Sequence, residues 1–192
     1  IYTILFVGRR QMCIRDRSEP EPHAPFAFAR AIWHYGRGVA YASMENKESA
    51  LKELAAIERL EPEVDEIFMG NVYPAKSLIG IAKSLLRGEI AFRSGAMAAA
   101  VTSFEEAVAM QDALPYTEPP FWYYPTRQSL GAALLADGRA AEAQLVFEAD
   151  LEQYPMNGWS LYGLTEALNA QGHTAPAEAA RQRFETVWQF SD

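Results

Sequence analysis

The feature that most limits what this chain can fold into is its similarity to itself at an offset of 34 residues. Leu130 falls on Leu164, Leu134 on Leu168, Gly138 on Gly172 and Ala143 on Ala177, and residues 136–143 (ADGRAAEA) align without gaps on 170–177 (AQGHTAPA). A fixed period of that length is the signature of stacked supersecondary units, each too small to bury its apolar face alone. Within a unit, Leu130 and Leu134 share a helical face, Gly138 supplies the residue that ends a first helix, and Ala143, Val146, Phe147 and Leu151 mark a second helix that Pro155 stops. The small Ala143 lets the two helices approach; Phe in its place is expected to overpack the hairpin by about 1–3 kcal/mol.

Related copies lie upstream. Gly88, Ala91, Gly95, Ala100, Phe104 and Ala107 repeat the pattern at an offset of 43, and Gly38, Tyr41, Ala50 and Leu54 make a weaker copy in which Glu45 takes the place of the turn glycine and leaves that turn's geometry open. The last copy has Thr165 where a glycine is expected and Arg181 where an aromatic is, as in a polar capping repeat. The expected architecture is therefore all-α, four helical hairpins at about 25–60, 74–112, 121–155 and 158–190 within one domain, 18–192. Two proline-bounded insertions, 57–74 and 113–125, lengthen the upstream offsets.

A Leu-Gly pair, a large residue three further on, a turn glycine, a small Ala, an aromatic and a closing Pro resemble the tetratricopeptide repeat (TPR); Leu130, Gly131, Leu134, Gly138, Ala143, Phe147 and Pro155 supply all of them. The resemblance implies an α-solenoid whose first helices line a concave groove. It places Tyr35, Glu89, Phe92, Arg93, Gln128, Trp159, Tyr162, Glu166 and Asn169 on that side, where aromatics beside polar groups suit an extended or helical peptide. Trp122, Tyr123, Tyr124 and Arg127, at the end of the second insertion, are further candidates, either stapling the loop down or shaping one end of the groove. Beyond the repeat, segments 30–38, 111–131 and 157–161 resemble the C-terminal half of a family of bacterial TPR proteins, over about 18–190. Members of that family are longer, with an N-terminal half whose histidine motifs suggest metal binding.

Residues 1–17 differ in character from the rest, with an apolar run, four Arg, the one Cys and no Ala. Met12-Cys13-Ile14-Arg15-Asp16 resembles the translation of a transposon end used in sequencing-library preparation, so this segment is expected to be adapter read-through and the chain a fragment. The net charge of −8, from 17 Lys+Arg and 25 Asp+Glu, becomes −11 once the four Arg and Asp16 of this segment are set aside, and no cysteine is left for disulfides, thiolate chemistry or Cys-bound metal.

An acidic chain without a Lys/Arg stripe argues against nucleic acid, and no apolar run approaches the about 18 residues of a membrane span. No phosphate-cradling glycine loop, nucleophile elbow or metalloprotease motif is present. His23, His34 and His173 share no helical face; His173 suits a helix terminus and His34 packing within the first hairpin. Glu105-Glu106, Glu61/Glu63/Asp65/Glu66 and Glu148/Asp150/Glu152 are expected on solvated faces and turns, with a short helix after Pro62. The expectation is a non-enzymatic scaffold without cofactor or metal that binds a protein or peptide partner, in the cytoplasm by default. Self-association through solenoid ends is open to it. The alternative is the scaffold half of a longer metal-binding protein or metal-dependent enzyme.

Overall fold

The structure, a computed structural model, describes residues 19–65 and 73–189; residues 1–17, with the expected adapter segment, lie outside them. Among the described residues the protein is all-α, with eight α-helices: α1 (Ala27–Ser43), α2 (Lys47–Leu60), α3 (Ala75–Arg93), α4 (Met97–Asp112), α5 (Arg127–Ala136), α6 (Ala140–Gln153), α7 (Gly158–Ala170) and α8 (Thr174–Trp188). They fall into two compact units, divided between Tyr123 and Tyr124.

Successive helices pair across three-residue turns, and all four turns are bonded alike. The Asn46 N–H donates to the Tyr41 carbonyl and Glu45 N–H to that of Ala42, both at 2.9 Å. The same two bonds recur as Ala96 to Ala91 and Gly95 to Phe92, as Arg139 to Leu134 and Gly138 to Leu135, and as His173 to Leu168 and Gly172 to Asn169. This double bond satisfies the last carbonyls of a helix and needs a left-handed residue at its centre. Gly95, Gly138 and Gly172 hold φ of 74°, 78° and 77°; Glu45 holds 60°, so the turn left open by the missing glycine closes in the same way.

In the N-terminal unit α1 packs on α2 and α3, and α3 on α4. Of the residues marked by the repeat pattern, Ala50, Leu54, Ala100, Phe104 and Ala107 are buried, and Ala31, Tyr35, Ile57, Leu78, Ile81 and Leu85 join them in the core. α2 ends at Leu60, at the expected end of the first hairpin, so the first four residues of the 57–74 insertion are helical, with Ile57 in the core, and the chain passes into a 3-10 turn at Glu61–Glu63. That turn contains Pro62 instead of following it, Asp65 is not helical, and Glu66 lies outside the described residues.

In the C-terminal unit α5 packs on α6, α6 on α7, and α7 on α8. The ring of Phe147 on α6 lies where a Cβ on either Gly131 of α5 or Gly163 of α7 would meet it, at 2.4 and 2.3 Å. One aromatic thus fills the space that two glycines vacate on opposing helices. No helix among the described residues is long and apolar enough to cross a membrane.

Candidate interaction surfaces

The residues expected in a groove fall into separate groups. In the N-terminal unit Tyr35, on the inner face of α1, is buried against Trp122, ring centroids 5.6 Å apart, and its hydroxyl lies 3.4 Å from that of Tyr123. Phe121 packs on Tyr73 at 5.4 Å, which in turn packs on Phe28 of α1 at 5.5 Å. The loop after α4, which includes a cis Glu118–Pro119 bond, is thereby held to α1 and to the approach to α3. Trp122 serves that packing, whereas Tyr123 is 74% exposed.

On α3, Glu89 and Arg93 are four residues apart and form an ion pair at 2.8 Å, both half-buried, with Phe92 half-buried between them. Each neutralises the other.

In the C-terminal unit the Gln128 side chain of α5 donates to Asn157 Oδ1 at 3.1 Å, and the Tyr124 hydroxyl lies 3.4 Å from Ser129 Oγ. Arg127 acts on the carboxylate of Asp150. Neither Gln128 nor Arg127 is isolated from the protein's own polar groups.

The helix that leaves most of its expected residues accessible is α7. Residues spaced 3, 4 and 3 apart lie within about 80° of one another on a helix with 3.6 residues per turn. Trp159, Tyr162, Glu166 and Asn169 have that spacing, and from Gly158 to Asn169 they are the only positions that are not buried. Trp159 is 37% exposed and packs on Trp188 of α8 at 4.9 Å; Tyr162 packs on Phe184 at 5.5 Å. Burial, and next the charge of Glu166 four residues along the helix, push the Tyr162 hydroxyl above the ordinary tyrosine range.

Two buried polar networks lie beneath these surfaces, at residues whose charge hides their position. Asp150, expected on a solvated face, is 1% exposed. It follows Ala143 and Phe147 by seven and three residues, on the same inward stripe, and that spacing is the signal that it belongs to the core. Its Oδ2 accepts hydrogen bonds from Asn157 Nδ2 at 2.6 Å and from Ser160 Oγ, while Oδ1 is buried without a hydrogen-bond partner. Burial raises its pKa, against the hydrogen bonds and Arg127 that lower it. Asn157 caps α7 by accepting from the Trp159 N–H at 3.2 Å, so one side chain ties α5, α6 and the start of α7 together.

Glu53 is the counterpart in the N-terminal unit, on the stripe of Ala50, Leu54 and Ile57. It accepts from Arg37 Nε at 3.0 Å and pairs with His34 Nδ1 at 2.6 Å, so His34 does pack within the first hairpin. Burial would raise the Glu53 carboxyl, but the hydrogen bonds from His34 and Arg37 outweigh it and hold it below the ordinary range. The Arg37 guanidinium also lies 4.5 Å from the Trp33 ring centroid. The other carboxylates are nearer the expectation: Glu105 and Glu106 are exposed, and Glu61 pairs with Lys83 at 2.6 Å. Among the described residues no three His, Cys, Asp or Glu side chains are grouped so as to hold a metal ion.

No protein-family model, curated protein or solved structure matches this chain.

Proposed function

We propose that the chain is a non-catalytic scaffold, an α-solenoid of four TPR-like hairpins without a cofactor, that binds a protein or peptide partner. The observation that carries this reading is the α7 stripe: a helix buried along all but one line of side chains, with two aromatics, a carboxylate and an amide along that line. Four hairpins closed by one kind of turn support the repeat architecture that would present such a helix to a ligand. Aromatic side chains partly packed on their own protein are already restrained, so a partner that covers them costs little further side-chain entropy.

The test is to pan a displayed library of linear peptides against the chain and measure the enriched peptides by isothermal titration. Saturable binding is expected, weakened at least about tenfold, or 1.4 kcal/mol, by Trp159→Ala or Tyr162→Ala while helix content and the urea midpoint are unchanged. Peptides that bind equally well to both variants, or a library that yields no binder, would overturn the reading.

A further inference from the structure

The C-terminal unit has an uneven charge inventory. Between residues 124 and 189 there are eight acidic residues, four Arg and no Lys. All four Arg are engaged within the protein: Arg127 with Asp150, Arg139 with Glu142, Arg181 with Glu178 and Glu185, and Arg183 with the Pro155 carbonyl. Most carboxylates are likewise answered, Glu148 by Gln144 and Asp150 by Asn157 and Ser160. Glu166 is not. It is half-buried on the α7 stripe, and among the described residues its side chain makes no hydrogen bond or ion pair. Asn169, three residues further along the same line, is exposed and likewise makes none.

A half-buried carboxylate on one line of a helix with a Tyr four residues before it and a Trp seven before it is suited to a cation. The ring quadrupoles of Trp159 and Tyr162 attract positive charge on the same side as Glu166, and partial desolvation strengthens both attractions. An anionic ligand would meet the carboxylate with no cation to offset it. The Glu89–Arg93 pair on α3, already neutralised, offers no such preference. We propose that the α7 stripe binds a basic peptide, with a Lys or Arg side chain lying against Trp159 and Tyr162 and its charge on Glu166, and the Asn169 amide pairing with the peptide backbone. This rests on the scaffold reading above and names the chemistry of the partner.

The experiment uses the full chain and fluorescein-labelled decapeptides of one Gly/Ser/Leu framework, carrying three Arg, three norleucine or three Glu, read by fluorescence polarisation. The Arg peptide is expected to bind, the norleucine peptide at least about tenfold more weakly and the Glu peptide not measurably. Binding should fade in about 1 M NaCl, where the Debye length is about 3 Å. Glu166→Gln should weaken the Arg peptide at least about tenfold with an unchanged thermal melt. Glu152→Gln, which removes an exposed charge elsewhere in the same unit, should have no effect. Equal losses from the two substitutions would mean bulk attraction to an acidic protein and would overturn the proposal. Norleucine or Glu peptides that bind as tightly as the Arg peptide, with loss on Trp159→Ala, would overturn the basic-partner inference and leave the scaffold reading standing. No binding by any of the three, together with an empty library selection, would remove both.

Discussion

Glu45 does in the first turn what glycine does in the other three. At φ 60° its Cβ crowds the following carbonyl, at a cost of roughly 1 kcal/mol, in return for the same pair of backbone bonds. Glu45→Gly removes that crowding, and the greater entropy lost on ordering glycine offsets part of the gain. The expected outcome is a stability increase of up to about 1 kcal/mol, read from the urea midpoint. The mirror change, Gly95→Ala, should cost about 1 kcal/mol for conformational reasons alone, because a Cβ there meets no atom within 4 Å. A loss of stability in Glu45→Gly would mean that the glutamate side chain contributes more than its backbone strain takes away.

At the scale of helices, the closest approach in the C-terminal unit runs through Phe147. A methyl on Gly131 would lie 2.4 Å from the ring, and the ring cannot swing away because Gly163 borders it from α7. Gly131→Ala is therefore expected to destabilise by about 1–3 kcal/mol, despite the better helix propensity of alanine. Phe147→Leu should relieve much of that penalty in a double-mutant cycle, whereas additive losses would show that the ring is not the obstacle. Helix pairs of this kind were legible in the sequence because their apolar stripes and turn glycines repeat. Asp150 and Glu53 were less so: their positions on the stripes called for burial, while residue type called for solvent, and position prevailed where Ser160 and Asn157, or His34 and Arg37, could supply hydrogen bonds. The contact of Trp122 with Tyr35 joins residues far apart in the chain, which no local period encodes. Of the candidate site, the stripe itself could be read from spacing on α7, but the lack of a hydrogen bond or ion pair at Glu166 among the described residues depends on where the four Arg of the unit find their partners, which spacing does not encode.

The two units carry buried carboxylates that titrate with opposite consequences. Glu53, held below its ordinary value of 4.5, contributes stability above that value and loses it as pH falls through the lowered one. Asp150, raised above 3.8, contributes most below 3.8 and loses that contribution as pH rises through its raised value. Acidification from neutral towards pH 4 should thus favour the C-terminal unit through Asp150, and further acidification should weaken the N-terminal unit through Glu53. Hydrogen exchange across that range is expected to lose protection in α1 and α2 before α6 and α7, and Asp150→Asn should abolish the acid-dependent gain around α6. Equal loss in both units would contradict the assignment. The four like-bonded turns have a different consequence, for how such a chain can change over time. Because each turn closes with the same pair of main-chain bonds, residues 41–46 and 134–139 follow one local path, and a hairpin duplicated or excised between turns would meet a junction of the same form. Descent by copying whole hairpins asks only that the new neighbours match in shape.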